Sequence, residues 1–379
     1  MSIRRRTWKT QSGESRSSWL VDYRDRDGQR HTASFERRKD ADAYHAQVAV
    51  DVRAGTHTAP SRSPTVTEAI TDWLERGETE QLERATLKQY RELGAHIEQH
   101  LGPTRLALLT TPGVNAFRDT LCRTMSRSMA RKILTAFKGV LSEAQRRGNV
   151  AQHVAIGVSI GPDKRKAGLE VGRDIPSPAE IQRILAAAPE RARPLLVTAT
   201  LTGVRASELR GLTWDDVNLQ HGELHVRQRA DRYGVLGQPK SRAGQRTIPL
   251  GPMVVNTLKA WRLATTSTGL VFPTRTGKAT DHSNLLRRVF GPAQIAAGVV
   301  TTSGKPKYSF HALRHFYASW CINRRIDGGL ELPLKVVSTR LGHASIQITA
   351  DRYGHLFPRG DDGAELVAAE RTLLTPINN

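Results

Sequence analysis

The stretch from Gly157 to Asp174 (GVSIGPDKRKAGLEVGRD) has no usable hydrophobic period, and glycines, a proline and a basic cluster run through it. It reads as an exposed linker, the kind of segment at which domains hinge or wrap a ligand, so the chain cannot be built around one continuous core. Directly after it, Ser177-Pro178-Ala179-Glu180 sets a strong helix start. Serine takes the N-cap, proline the first helical position, and glutamate closes the capping box. A linker at 159–174 thus separates a last domain, 175–379, from what precedes it. With 379 residues, 38% of them hydrophobic, there is core enough for two or three domains.

The first part divides again at the punctuation Ala59–Pro64 (APSRSP). In residues 1–60, Trp19, Val21 and Tyr23 alternate onto one face. AspArgAspGly (25–28) then makes a turn, and His31, Ala33 and Phe35 alternate again. An earlier strand is expected through Arg4 to Trp8. A helix from Lys39 to Arg53 carries Ala43, Tyr44, Val48 and Val52 at helical spacing. Such a sheet has one face on the helix and one free, with Arg4, Arg6, Lys9, Arg24 and Arg26 on or beside it. Residues 65–158 read as all-helical. Thr65–Glu68 fits a capping box, and further helices cover Thr86 to His100, Val114 to Cys122, and Met125 to Arg147 before Gly148. On the last of these, Met129, Ile133, Phe137, Val140 and Leu141 form an apolar stripe opposite Arg127, Arg131 and Lys132. That basic face either is solvated or lies on a phosphate backbone.

Charge favours the second reading. Lys and Arg number 57 against 36 Asp and Glu, a formal net charge of +21, which points to a polyanionic partner. No apolar run approaches a membrane span and no lipidation motif appears, so no membrane partner is expected. Cys122 and Cys321 are too few and too far apart for a disulfide framework or a zinc site. With no secretory signal in MSIRRRTWK, a reduced cytoplasmic setting, on the nucleoid, is the expectation.

The residues suited to chemistry lie in the last domain. Gly203 turns the chain toward Arg205, with Glu208 one turn on. Strand patterns at Leu224 to Gln228 and Arg246 to Leu250 make a hairpin with Lys240 near its base; alone, Lys240 is a solvated hairpin lysine. His311 and Arg314 are three apart on a helix, so they face one side. His343 and then Tyr353 follow. His311 and His315 are spaced like the zinc ligands of H-E-x-x-H, but Ala312 stands where that motif needs glutamate, so no metal is expected. His315 and Tyr317 read as helix packing, Tyr308 as structural and His355 as surface.

Taken together, TGVRASELRGLTW, KSRAGQRTIPL, FHALRHFYASW and LGHASIQITADRYGH resemble the catalytic domain of tyrosine recombinases, the phage-integrase family, over residues 177–357. The resemblance fills all the expected catalytic positions: Arg205, Lys240, His311, Arg314, His343 and Tyr353. It implies a multidomain α+β protein with an N-terminal arm-type DNA-binding sheet-plus-helix domain and a helical core-binding domain. A mainly helical catalytic domain with a small antiparallel sheet would follow. The implied reaction is site-specific DNA cleavage and rejoining without cofactor. Tyr353 is the nucleophile and His311 the base, the two arginines and His343 hold the phosphate oxygens, Lys240 protonates the departing 5′ oxygen, and Glu208 orients an arginine. Implied partners are double-stranded attachment-type core and arm sites, three further protomers in a tetramer on DNA, a host DNA-bending protein and an excision accessory factor. A phage or mobile element is the expected setting. Two rivals stand beside this reading: a DNA-binding regulator that does not cut, and a type IB topoisomerase-like enzyme. A nicked target resolved on a denaturing gel separates cutter from regulator.

Overall fold

A computed structural model describes the chain except residues 12, 25–27, 55–62, 162–167, 358–361 and 375–379. The chain divides into two compact units, Met1–Arg165 and Lys166–Asn379.

In the first unit β1 (Ser2–Lys9), β2 (Ser15–Arg24) and β3 (Arg30–Phe35) form an antiparallel sheet in that order, followed by α1 (Arg38–Ala54). The period-two alternation selects the faces. Val21 and Tyr23 are buried with Ala41 and Val48 of α1, and Ile3, Trp19 and Phe35 flank them. Register pairs Arg4 with Leu20, Arg6 with Ser18 and Arg24 with Arg30, so Arg4, Arg6 and Arg24 take the phase opposite Val21. Lys9 shares the phase of Ile3 but stands exposed at the strand's end. Arg26 and most of the expected turn at 25–28 lie outside the described residues.

Four longer helices follow: α2 (Val66–Thr79), α3 (Arg84–Leu101), α4 (Thr111–Thr124) and α5 (Arg127–Arg146). The capping box of Thr65 and Glu68 starts α2, while Thr110 and Ser126 cap α4 and α5. Ile133, Phe137, Val140 and Leu141 of α5 are fully buried among the other three helices. The linker departs from expectation at its start. Val158 and Ile160 are buried in this same helical core rather than exposed. Arg131 donates to the carbonyls of Ile160 and Gly161, and Arg127 to that of Gly161. Burying Ile160 removes apolar surface from water, and the guanidiniums satisfy the carbonyls that its irregular backbone leaves unpaired.

The second unit begins with α6 (Pro178–Ala187), launched by the Ser177–Glu180 capping box. It continues through α7 (Arg193–Thr202), α8 (Ala206–Arg210), β4 (Val217–Asn218), β5 (Glu223–Val226), β6 (Arg229–Ala230), β7 (Leu236–Gly237) and β8 (Arg246–Pro249). The strands pair in the order β4-β5-β8, all antiparallel. The expected hairpin is therefore present as β5 and β8, with a second small hairpin, β6 and β7, inserted between its arms. Then come α9 (Pro252–Ala264), α10 (His282–Asn284), a π turn over Leu285–Phe290, α11 (Gly291–Ala296), α12 (His311–Ile322), α13 (Leu334–Leu341), α14 (Ile346–Tyr353) and α15 (Asp362–Leu374). This is the helix-dominated α+β class with small antiparallel sheets that the sequence indicated.

Two central helices position the site. α7 and α12 are buried nearly all round and pack on each other. Within α7 the buried Thr198 and Thr202 hydroxyls donate to the carbonyls of Pro194 and Thr198. Gly203 ends α7 at a φ of 62°, where a Cβ would run into the Tyr317 ring of α12. Tyr317 is core, and Tyr308 donates its hydroxyl to Glu180 at 2.8 Å. The linker's far end is anchored too: Ile175 is fully buried, and the Leu169 carbonyl lies 2.7 Å from Nε2 of His355. His355 is thus exposed yet tied to the backbone.

Candidate active site

The cluster forms around the C-terminal end of α13. The last carbonyls of any helix lack intrahelical partners and carry the negative end of the helix dipole. Here three consecutive ones, of Arg340, Leu341 and Gly342, accept from three guanidiniums: Arg246, Arg314 and Arg205 in turn. Arg246 reaches Arg340 at 2.6 Å and Arg205 reaches Gly342 at 2.9 Å. Gly342 takes the left-handed conformation that ends the helix, and a Cβ on it would stand 2.8 Å from the Arg246 guanidinium. His343 follows at once, so the turn delivers it beside the arginines.

One carboxylate serves this group. Glu208, 4% exposed, accepts from both Nη atoms of Arg246, at 3.2 and 2.8 Å, and from Nη1 of Arg205 at 2.7 Å. It also accepts the backbone N–H of Arg205, the residue that opens α8. Burial pushes the Glu208 carboxyl up, but the hydrogen bonds and charge of Arg246, with the charge of Arg205, outweigh it and hold it at about 2. Arg314, 3% exposed, donates to Gly203 at 2.7 Å as well as to Leu341. Burial and then the charges of Arg205 and Arg246, offset in part by Glu208, lower it to about 9, so it stays cationic at neutral pH. Three guanidiniums facing a single carboxylate leave an excess of positive charge that an anion would neutralise. The Arg205 side chain, at 35% exposure, and the exposed His311 are the edges on which an anion could land.

The phenol lies in the same cluster. Tyr353, 1% exposed at the end of α14, has its ring parallel to that of His343, with centroids 6.4 Å apart. Nδ1 of His343 is 2.7 Å from the Thr349 hydroxyl. The Tyr353 hydroxyl is 2.7 Å from Nδ1 of His315, not His311. Burial raises the phenol's pKa, against the pull of Arg314, Arg352 and Arg205. Burial, with the surrounding arginines, lowers His311 and His343 to about 4. His315 is lowered to about 3 by burial, His311 and then the arginines.

The structure thus joins Arg205, Glu208, Arg314, His311, His343 and Tyr353 in one cluster, while Lys240 stands on the exposed loop leading from β7 to β8. Two members went unread in the sequence. Arg246 had a legible signal: it alternates in phase with the buried Ile248, and a charged residue in a strand's inward phase needs a partner. His315 had only its place beside Arg314, which packing explains equally well. Among the described residues no group of three or more His, Cys, Asp or Glu is arranged to hold a metal ion.

Residues 177–359 match the phage integrase family. A "Tyrosine recombinase XerC-like" protein of Caldanaerobacter subterraneus is 27% identical over 284 residues, covering 67% of this chain and 69% of the relative. An "Integrase" of Streptomyces ambofaciens is 27% identical over 331 residues, covering 81% and 80%. The Tn1549 transposon integrase, solved with transposon right end DNA, shares the fold at a TM-score of 0.65 and 16% identity, over 81% of this chain and 99% of that one. The lambda integrase tetramer on a Holliday junction does so at 0.58 and 19%, over 89% and 95%. Fold and sequence together define an integrase-class enzyme. Residues 177–359 form a domain of the tyrosine recombinase (phage integrase) family, and the chain is a site-specific recombinase.

Proposed function

We propose that this enzyme cuts and rejoins double-stranded DNA through a 3′-phosphotyrosine at Tyr353, in the integration or excision of a phage or mobile element. One observation carries the reading: three guanidiniums converge on the turn before His343, with the Tyr353 hydroxyl buried in the same cluster. A phosphodiester gains charge on its non-bridging oxygens as it becomes pentacoordinate. Arg205 and Arg314, held in place before the substrate arrives, with His343 beside them, are donors of the kind worth about 100- to 1,000-fold each. Tyr353 attacks phosphorus, and the departing 5′ oxygen takes a proton from Lys240, whose exposed loop would close on the bound strand. The phosphotyrosine conserves the bond energy, so a 5′-hydroxyl from another duplex reverses the step and neither ATP nor metal is consumed.

The basic sheet face of β1–β3 suits arm sites and the helices α2–α5 suit the core site. The assembly would be a tetramer on DNA, helped by a DNA-bending protein and, for excision, an accessory factor. The Streptomyces relative's name supports the mobile-element setting; the XerC-like relative supports the alternative of chromosome-type resolution. The N-terminal sheet, an addition that pair-wise resolution would not need, favours the first. The test is covalent capture. Fragmented genomic DNA of the source organism is incubated with the enzyme, and adducts are isolated under denaturing conditions, sequenced, and mapped by mass spectrometry. A nucleotide on Tyr353, absent in Tyr353→Phe that still binds the captured DNA, is the expected result. An adduct of normal yield in Tyr353→Phe overturns the assignment, and EDTA should leave the yield unchanged.

A further inference from the structure

The geometry points to His315 as the group that receives the Tyr353 proton during strand cleavage, in place of His311; this rests on Tyr353 being the nucleophile. Both histidines lie on α12, one turn apart, with ring centroids 4.7 Å apart and planes at 89°. They play different parts because α14 delivers the phenol to only one of them. Nδ1 of His315 is 2.7 Å from the hydroxyl, inside hydrogen-bond range for direct proton transfer, and the pair is buried, at 8% and 1% exposure. His311 is exposed at the start of the helix.

The protonation state of the ring follows from its surroundings. The groups that act on His315 are His311 and Arg314 of its own helix, Arg352 of α14, Asp174 of the linker's far end, and Tyr353 itself. Burial above all, then His311 and two arginines against one aspartate, disfavour an imidazolium, so the ring is neutral at neutral pH. In the proposed state this neutral ring is the tautomer with its hydrogen on Nε2, so that Nδ1 accepts and the phenol donates. The hydroxyl's lone pairs are then left for phosphorus. As the Oη–P bond forms, the Oη–H bond breaks and its proton moves to Nδ1. The P–O5′ bond breaks, and that oxygen is protonated separately by Lys240. The imidazolium created is opposite in charge to the phosphodiester now present. Religation runs the same transfers backward.

The experiment uses captured DNA remade with a bridging 5′-phosphorothiolate, whose thiolate leaves without a proton, so that only the tyrosine side limits the rate. Wild-type cleavage should be flat between about pH 6 and 9, since neutral His315 is available throughout. His315→Asn presents an amide near the Nδ1 position but takes up no proton. It should cut about 100-fold more slowly at pH 7 and gain about tenfold per pH unit, as the phenol must ionise unaided. His311→Asn should keep the flat profile. A wild-type rate and profile in His315→Asn, with a pH-dependent His311→Asn, overturns the proposal. Failure of wild type to form any adduct instead overturns the assignment of Tyr353. Should His315→Asn fail to fold, ¹⁵N-histidine spectra of wild type and Tyr353→Phe decide. The expected result is His315 as the Nε2–H tautomer, with an Nδ1 shift that changes when the hydroxyl is removed. An Nδ1–H tautomer rules out acceptance and overturns it.

Discussion

The arginines of the α13 cluster and those of the β1–β3 sheet are the same side chain under opposite regimes. Arg246 and Arg314 are nearly inaccessible, and their hydrogen bonds run to carbonyls and Glu208. Arg4 and Arg6 lie on an open sheet face, Arg4 with only a 3.9 Å approach to Asp22. In the first group position is over-determined: each guanidinium bridges elements far apart in sequence, so moving one disturbs α8, β8, α12 and α13 together. In the second, position is loose and charge is what counts. Fixed donors are what transition-state recognition needs and local positive potential is what backbone tracking needs, so the proposed function gives the two groups those two tasks.

The sharpest way to break this contrast is Glu208→Ala. Removing the carboxylate leaves Arg246, with its side chain 2% exposed, as a buried cation without a counter-charge, a change that costs about 3–5 kcal/mol. Urea unfolding of the full chain should show that loss, with cleavage falling along with it as Arg205 loses its seat. A loss below about 1 kcal/mol, typical of an exposed ion pair, would mean that the cluster is no more over-determined than the sheet.

Acid should separate the regions next. His343 is at about 4 and His315 at about 3 in the folded chain, against 6.5 when unfolded. Between those values the unfolded chain binds more protons, so stability is complete above about 6.5 and falls as pH drops toward 4. Glu208 and Glu180, held at about 2 against 4.5, add stability above about 4.5 that is lost as pH falls through 2. Methyl signals of α12 and of β2, followed in urea at a series of pH values, should show the first decline in α12. A parallel decline in β2, or none in α12 above pH 4.5, would contradict the burial of these histidines.

The same contrast explains what was legible in the sequence. Arg205, His311-x-x-Arg314, His343 and Tyr353 stand out because chemistry dictates residue type and the helix dictates spacing. Element starts were readable for a local reason: Thr65–Glu68 and Ser177–Glu180 are capping boxes whose partners are three residues apart. The convergence of Arg205, Arg246 and Arg314 on three successive carbonyls was not readable, because it joins residues up to 137 positions apart through backbone atoms that no side-chain pattern encodes. The linker misled for a related reason. Its irregular composition suggested exposure throughout, yet Ile160 and Ile175 are each buried by a unit built from other parts of the chain. Arg127 and Arg131, read as part of a basic face, also donate to the carbonyls of Ile160 and Gly161, which no side-chain pattern announces.

The smallest effect on stability is expected where the effect on partner binding is purest. Arg4→Ala with Arg6→Ala removes two exposed guanidiniums that hold up no core, so unfolding should move by no more than about 0.5 kcal/mol. If these residues neutralise phosphates, each such contact contributes about 0.9 to the slope of log affinity against log salt. The double variant should therefore lose affinity for arm-site DNA at low salt and show a slope shallower by nearly two, with cleavage at an isolated core site unchanged. An unaltered slope would take the sheet face off the DNA. A shallower slope together with slower core cleavage would couple the two regions, and the separation between fixed and loose arginines would then hold for the folded chain alone and not for the assembled complex.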